Sequence, residues 1–211
     1  PGFKKYLPSN VQYYISHNFD ASLVGRVLES KSYSYTWNAP DVVDVLTIGG
    51  IRDYSSNIEI IKSLANNSDF MLRFIGKGYA ADLLQQYTIK YAIRNVSFEG
   101  FYSKEKEGTY IEKCTFLNVF YPTVKTHSTA LSNRFYNALI YKKPMIVTSN
   151  STQGDLVDNY QLGISIANTN HLVSKLNDYV SNFDYLSFCQ RCDLLLSSFM
   201  DDYLVLKKMV K

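Results

Sequence analysis

Cysteine, glycine and proline are scarce in this sequence, and long apolar runs are missing. The three cysteines, Cys114, Cys189 and Cys192, cannot all pair with one another, which favours a reducing compartment and predicts a cytoplasmic protein. Cys189 and Cys192 have the spacing of a redox motif or half a zinc site, but no second pair accompanies them, so we expect no metal there. No apolar run approaches the roughly 20 residues that cross a bilayer, so no membrane-spanning helix is predicted.

Several motifs of nucleotide-dependent and hydrolytic enzymes are also missing. No Gly-x-Gly-x-x-Gly pattern follows the first apolar run and no P-loop motif occurs, which argues against a nicotinamide dehydrogenase and a P-loop phosphotransferase. The Gly-x-Ser-x-Gly elbow of a hydrolase is absent. His17, His127 and His171 lie in no pattern of neighbouring His or acidic residues that makes a metal site, so we expect neither a metal nor a cofactor.

The composition does provide for a folded domain with a mild positive charge. Of the 211 residues, 46% are hydrophobic, enough for a substantial core in one domain. Lys and Arg number 22 against 19 Asp and Glu, a formal net charge of +3. This excess neither demands nucleic acid nor excludes an anionic ligand, and we expect no nucleic-acid partner. Because the sequence starts at Pro1 rather than at Met, we expect a piece of a longer protein.

Apolar runs and helical periods alternate along the chain. The first run, from Val42 to Ile48, is short and rich in β-branched residues and stops at Gly49-Gly50, as a buried parallel strand does. A helical period follows it behind Ser55. Further strands are predicted at 70–75, 96–101, 116–120, 144–147 and 163–166, with helices between them and from 168 to 211. The pattern predicts an α/β fold, a Rossmann-like parallel sheet of about six strands with helices on both faces.

Ligands of such sheets bind beyond the carboxyl ends of the strands, where loops and helix N-termini converge. Gly49 and Gly50 allow close approach of backbone to a ligand, and Arg52 then offers a guanidinium. The helix that begins near Ser132-Asn133 offers free amides at the positive end of its dipole. Together these groups are suited to a diphosphate. A glycine pair alone more often only turns the chain. Asn133 and the neighbouring Arg134 therefore support a phosphate site only if the fold brings their loop close to Gly49-Gly50.

The chain from about Val43 to Ile166 also resembles a known fold family. Four stretches carry the resemblance: VLTIGGIRDYSSNIEIIKSL, MLRFIGKGYAADLLQQY, VSFEGFYSKEKEGTYIEKCTFLNVFYP and SNRFYNALIYKKPMIVT. In that order they resemble the C-terminal, donor-binding half of a GT-B glycosyltransferase. The sequence looks most like family 4, the retaining group 1 enzymes that build bacterial surface polysaccharides such as capsule. The resemblance implies a linker from an absent N-terminal domain at 1–40, a nucleotide-sugar-binding domain at 41–183 and a helical extension at 184–211.

The resemblance also implies roles for individual residues. Arg52 matches the family's phosphate-loop arginine and is the expected catalytic residue, because it would neutralise charge on the departing diphosphate. The lysine that accompanies this arginine in the family is missing, since residues 55–57 are Ser-Ser-Asn. Phe101 and Tyr102 match the loop over the nucleobase and could stack on it, although packing at a helix start explains them equally well.

Two glutamates of the family, by the same matching, fall on Thr129 and Asn137. Asn137 can still accept hydrogen bonds from ribose hydroxyls through its carbonyl, but without the strength that charge adds. Thr129 or the neighbouring His127 replaces the other glutamate only in part. Two interpretations stay open: a divergent enzyme that recognises its donor with neutral groups, or a noncatalytic nucleotide-binding or scaffold domain of the same fold.

If the resemblance holds, the full protein moves a sugar from a nucleotide diphosphate sugar to a saccharide or lipid-linked acceptor, and this chain alone binds without turnover. The final apolar stripe then either packs on this domain or covers surface of the absent half; its members are Tyr185, Phe188, Leu195, Phe199, Tyr203 and Leu206. Lys207, Lys208 and Lys211 are either solvated or touch the inner face of a membrane. A flavodoxin-like receiver is disfavoured, because the loop after the first strand is neutral to basic.

Overall fold

The computed structural model describes residues 2–30 and 39–209. In this part of the chain the strands are β1 (Val43–Ile48), β2 (Phe70–Ile75), β3 (Val96–Glu99), β4 (Phe116–Val119), β5 (Met145–Thr148) and β6 (Gly163–Ile166). The helices are α1 (Ala21–Ser30), α2 (Tyr54–Leu64), α3 (Tyr79–Lys90), α4 (Glu107–Lys113), α5 (Lys125–Thr129), α6 (Asn133–Ile140), α7 (Thr152–Tyr160), α8 (Leu172–Ser181) and α9 (Tyr185–Met209). Two 3-10 helices lie at Gly2–Tyr6 and Lys104–Lys106.

The strands form one parallel sheet in the order β3-β2-β1-β4-β5-β6, which confirms the predicted Rossmann-like fold. The order reverses at β1, which pairs with β2 on one side and with β4 on the other. Such a reversal opens a crevice beyond the carboxyl ends of the two central strands, because their connections leave in opposite directions. The fold therefore places a ligand-sized opening next to the loops after β1 and β4.

Helices cover both faces of the sheet, and the side chains of β1 alternate between two cores. Leu46 and Ile48 lie in the core that includes side chains of α1, α6 and α9. Val43 and Val45 lie in the core that includes side chains of α2, α3 and α8. Because both faces are covered, the strand is apolar nearly throughout. Full burial of one such side chain contributes about 1.5–3 kcal/mol to folding.

Polar side chains fix the starts of several helices. The Ser132 hydroxyl accepts a hydrogen bond from the Phe135 amide at the start of α6, and the Ser151 hydroxyl accepts one from the Gly154 amide at the start of α7. Each bond satisfies an amide that the first helical turn leaves free. The start that the sequence predicts near Ser132-Asn133 is thereby confirmed.

Two local features differ from the sequence-based expectation. The polar helix expected before residue 112 is divided into the 3-10 turn Lys104–Lys106 and the short helix α4. A further short helix, α5, precedes α6 in the connection from β4 to β5. Short polar helices carry little periodicity, so the apolar pattern does not reveal them.

The segment before α1 packs against the last helix through His17. The ring of His17 stacks on that of Phe199 at 4.1 Å between centroids. Its Nδ1 lies 3.0 Å from the Tyr136 hydroxyl oxygen, and its Nε2 lies 3.1 Å from Asp202 Oδ2. Because α1 also packs along α9, the beginning and the end of the described chain are held together on one side of the sheet.

The last helix packs on this domain over most of its length. Phe188, Leu195 and Phe199 are buried, whereas Leu204 and Val205 beyond them are exposed. Cys189 and Cys192 are buried in α9, and burial raises the pKa of Cys192 to about 12, so both are packing residues. None of the helices in the described residues is long and apolar enough to cross a membrane. Lys211, one of the lysines predicted to be solvated or to touch a membrane, lies outside the described residues. Positions 1 and 31–38 of the predicted linker lie outside them too.

Candidate functional site

A cavity of about 500 Å³ opens where the strand order reverses. Its wall is formed by Ile48 at the end of β1, the loop that follows it, Tyr121 after β4, and the starts of α4 and α6. The structure brings most of the site residues predicted from the sequence into this wall, namely Gly49, Gly50, Arg52, Tyr102, His127, Ser132, Asn133 and Asn137. The two loops whose convergence the sequence left open therefore meet.

The loop after β1 places backbone and a cation at the cavity. Gly49 has a φ of +99°, a conformation that side chains other than glycine rarely adopt. Arg52 is exposed, and its side chain lies back over Gly50: a Cβ at Gly50 would be 3.4 Å from Arg52 Nε. Because Gly50 has no side chain, the Arg52 guanidinium can occupy the space beside it. The exposed guanidinium can approach an anion from the solvent side.

The Gly-Lys-Gly sequence after β2 supports this loop from behind. A Cβ on Gly76 would stand 2.1 Å from the Gly49 carbonyl oxygen, and one on Gly78 would stand 2.1 Å from the Ile51 carbonyl oxygen. Only glycine permits so close an approach of two backbones. These glycines therefore set the position of the β1 loop.

The N-terminus of α6 forms a second wall of the cavity. Gln153, which is buried, accepts hydrogen bonds through its Oε1 from the Ser132 amide at 2.9 Å and the Ser132 hydroxyl at 2.8 Å. The Asn133 side-chain oxygen accepts a hydrogen bond from the side-chain Nδ2 of Asn18 at 2.8 Å. The first turn of α6 is thus held from α7 and from the leading segment, with its positive dipole end at the cavity. Such an end favours a negatively charged group.

A carboxylate that the sequence-based interpretation missed lies beside Asn137. Glu107, the first residue of α4, accepts hydrogen bonds from the Tyr102 hydroxyl at 2.8 Å and from Asn137 Nδ2 at 3.2 Å. It also pairs with Lys104. Burial, and then the hydrogen bond to Glu107, raise the pKa of Tyr102, so its hydroxyl stays protonated and donates. The cavity therefore contains an anionic acceptor as well as cations.

His127 and Tyr121 form the side of the cavity near α5. Their rings lie 5.2 Å apart between centroids. His127 Nδ1 is buried and has no hydrogen-bond partner among the residues that the structure describes. A buried ring nitrogen of this kind is a site that a water molecule or a ligand group can satisfy.

Two predicted site residues lie outside the cavity wall. Phe101 is 81% exposed and borders a shallower depression of about 400 Å³ that shares Gly49, Gly50 and Tyr102 with the cavity. Thr129 is buried, and its hydroxyl donates to the Lys125 carbonyl at 3.0 Å. Phe101 thus borders an adjoining depression, and the Thr129 side chain is engaged within α5.

Arg134 joins the two walls of the cavity. Its guanidinium donates from Nε to the Ile48 carbonyl at 2.6 Å and from Nη2 to the Gly50 carbonyl at 2.9 Å. A longer contact of 3.4 Å joins Nη1 to the Asn118 carbonyl. The second residue of α6 thereby fixes the ends of β1 and β4 and the glycine turn relative to the helix start.

Comparison with known proteins gives a likeness in structure. No family model matches the chain, and no curated protein does. Among solved structures, HepE of Anabaena in complex with UDP-glucose superposes with a TM-score of 0.66 at 12% identity, over 91% of this chain and 54% of HepE. The C-terminal domain of LpcC, a group 1 family glycosyl transferase of Francisella tularensis, superposes with a TM-score of 0.57 at 15% identity, over 86% of this chain and 97% of that domain. This chain has the fold of the C-terminal half of a GT-B glycosyltransferase.

Another solved structure extends the likeness to nearly the whole of this chain. Sucrose-phosphate synthase of Thermosynechococcus elongatus superposes with a TM-score of 0.71 at 11% identity, over 99% of this chain and 54% of that enzyme. The chain thus spans about half the length of HepE and of sucrose-phosphate synthase. At such low identities the likeness establishes the fold, and the chemistry has to be argued from the cavity.

The cavity contains residues that the sequence pattern did not identify. Glu107 and Lys104 come from a polar stretch without periodicity, and Gln153 follows the strand predicted at 144–147 with no chemical signal of its own. Arg134 was noticed only as a neighbour of Asn133. Its position two residues after a small polar cap was the signal available, because a side chain there lies at the first turn of a helix facing the sheet end.

Proposed function

We propose that this chain is the donor-binding half of a glycosyltransferase and that the cavity holds a nucleotide diphosphate sugar. The observation that carries the proposal is that Arg52 and the N-terminal residues of α6 line the same cavity at the strand reversal. Both features favour an anion, and the cavity has the size of a small-molecule site. The fold shared with HepE, whose structure contains UDP-glucose, adds weight to this choice of ligand.

Most of the predicted residues then have a role in binding or transfer. Arg52 and the first amides of α6 would stabilise the negative charge that develops on the diphosphate as the sugar departs, with no metal or cofactor needed. Phe101 and Tyr102 border the depression that would take the nucleobase, and His127 lies where the sugar would meet α5. Asn137 would bind ribose hydroxyls, together with Glu107. Retention at the anomeric centre is part of the same proposal.

The acceptor is proposed to be a saccharide or a lipid-linked saccharide, bound mainly by an N-terminal domain, as in bacterial surface polysaccharide or capsule synthesis. We further propose that 1–40 is the linker to that domain, that 41–183 binds the donor and that 184–211 is a helical extension. The exposed Leu204, Val205 and Met209 at the end of α9 offer apolar surface for such a partner domain. The exposed Lys207 and Lys208 beside them suit contact with the inner face of a membrane.

A second candidate is a noncatalytic domain that binds a nucleotide. It is favoured by one observation: the positions that match the family's glutamates hold Thr129 and Asn137, and the Thr129 hydroxyl is engaged within α5. The two candidates differ in turnover, not in binding. Release of nucleoside diphosphate from a sugar nucleotide, measured on a protein that carries both halves with and without Arg52→Ala, separates them.

Binding by this chain is tested first by thermal shift and calorimetry. The ligands are UDP, GDP, ADP and CDP with their sugar conjugates, each measured on the unsubstituted chain, Arg52→Ala and Arg94→Ala. Arg94 is exposed and borders a different depression, near the amino end of β3, so it is the matched control. Stabilisation by one base that is lost in Arg52→Ala and kept in Arg94→Ala supports the proposal. Stabilisation by none of these ligands contradicts it.

A further inference from the structure

Arg134 is a buried cation whose positive charge has no carboxylate partner in the described residues. The residue is 7% exposed and forms no ion pair within 2–30 and 39–209. Two other shielded cations of the chain do have such partners, since Arg73 pairs with Asp44 and Lys142 with Asp193. Among the Lys and Arg residues that the structure describes, Arg134 is the least exposed.

The hydrogen bonds of Arg134 do not neutralise its charge. A guanidinium has five N–H groups, and three of its contacts go to the Ile48, Gly50 and Asn118 carbonyls. Carbonyl oxygens supply partial charges only, and removing a full charge from water is expensive unless an anion compensates it. Two of the five N–H groups therefore remain to donate to another acceptor. Because Arg134 lines the cavity, a ligand there can supply that acceptor.

The location of this charge specifies the kind of anion. The three carbonyls belong to the ends of β1 and β4 and to the glycine turn, at the strand reversal where the cavity opens. The exposed Arg52 lines the same cavity. Lys104 is already paired with Glu107. An anion with two charged groups, such as a diphosphate, can meet a fixed buried guanidinium and a mobile exposed one at the same time.

We propose that Arg134 binds the diphosphate of the donor directly, as a preorganised second cation in addition to Arg52. The proposal rests on the proposed function and deepens it by assigning the group that the residues at 55–57 do not supply. Ser56 and Asn57 are buried, and Asn57 Oδ1 accepts a hydrogen bond from Asn118, so the first turn of α2 offers no cation. Since carbonyls hold Arg134 in place, it loses little conformational entropy on binding.

The test separates contact with phosphate from bracing of the glycine turn. Calorimetry gives the affinities for uridine, UMP and UDP of the unsubstituted chain, Arg134→Gln and Arg134→Lys, with the matching series of another base if that base is preferred. Gln keeps donors for the carbonyls but removes the charge, whereas Lys keeps the charge. We expect Arg134→Gln to weaken UDP binding by about 10- to 100-fold and uridine binding by less than about twofold. Arg134→Lys should recover part of the preference for UDP over uridine.

Each alternative result overturns the inference in a recognisable way. An equal loss of affinity for uridine, UMP and UDP in Arg134→Gln would mean that Arg134 only braces the turn. Unchanged UDP affinity would mean that it does not meet the phosphates. If Arg134→Gln does not fold, an equal loss of affinity for uridine, UMP and UDP in a folded Arg134→Lys would overturn the inference in the same way. Failure of the unsubstituted chain to bind any nucleotide would reject the proposed function together with the inference. If the unsubstituted chain binds UDP but Arg134→Gln shows equal losses or an unchanged UDP affinity, only the inference is rejected.

Discussion

The amide nitrogen of Asn137 lies 3.2 Å from a carboxylate oxygen of Glu107, so a charged acceptor stands beside the position where the family resemblance implies a glutamate. Asn137 belongs to α6 and Glu107 to α4, and the two helices meet at the cavity. The sequence left a choice between a donor recognised by neutral groups and a weakened site. The contact between Asn137 and Glu107 offers a third possibility, in which the donor is recognised by a carboxylate that α4 supplies instead of α6.

Substitution of Glu107 tests whether its carboxylate recognises the ribose. Carboxylates bind ribose hydroxyls in dinucleotide sites of parallel sheets, and charge makes such hydrogen bonds about twice as strong as neutral ones. We expect Glu107→Gln to reduce the preference for UDP over 2′,3′-dideoxy-UDP by about tenfold. The measurement is calorimetric affinity for both nucleotides, or for the corresponding pair of a preferred base.

The control for this substitution is Glu105→Gln, since Glu105 is exposed in the 3-10 turn just before α4 and does not line the cavity. It should leave both affinities unchanged. Equal weakening of the ribo- and dideoxynucleotide in Glu107→Gln would instead assign Glu107 to holding Tyr102 and Asn137 in place.

A pair of glycine substitutions tests the support of the β1 loop. A Cβ on Gly78 would stand 2.1 Å from the Ile51 carbonyl oxygen, whereas one on Gly25 in α1 meets nothing within 4 Å. We expect Gly78→Ala to destabilise the fold by about 1–3 kcal/mol through overpacking and to weaken nucleotide binding. Gly25→Ala should stabilise it by about 0.5–1 kcal/mol, because Ala is the better helix former. Urea unfolding of both variants gives the comparison, and a neutral Gly78→Ala would contradict the close packing.

The sequence predicted the sheet because its strands are covered on both faces. Runs such as Val43–Ile48 are apolar nearly throughout, and glycines end them, so their existence and order follow from short-range patterns. The start of α6 was predicted for a similar reason, since the Ser132 hydroxyl caps the helix by accepting a hydrogen bond from an amide only three residues later. These features need no knowledge of distant contacts.

The cavity was predicted only in part, because its remaining members depend on contacts between distant residues. Glu107 and Asn137 are 30 positions apart, and Arg134 reaches the Ile48 carbonyl across 86 positions. No local spacing relates such residues. Thr129 shows the opposite error. Its position matches a glutamate of the family, but its hydroxyl donates to the backbone of its own short helix, α5.

The cysteines should behave as packing residues. Burial raises the pKa of Cys114 and of Cys192 to about 12 and raises that of Cys189, so the nucleophilic thiolate is scarce at neutral pH. We expect a thiol reagent to label almost none of the three cysteines in the folded chain at pH 8 and all three in denaturant. Rapid labelling of Cys189 and Cys192 before unfolding would instead indicate a reactive motif.

His17 should make the stability of the chain depend on pH. Burial lowers its pKa below the usual histidine value of 6.5, although the hydrogen bond and charge of Asp202 oppose the shift. The unfolded chain therefore binds a proton more readily than the folded chain, and stability falls as the pH drops below about 6.5. We expect the melting temperature to fall between pH 7 and pH 5, and to fall less in His17→Gln. His171→Asn is the matched control, because His171 is exposed and Asn also tolerates its positive φ of 60°. An equal pH dependence of His17→Gln and the unsubstituted chain would show that other groups set the acid sensitivity and that the contact of the leading segment with α9 is indifferent to protonation.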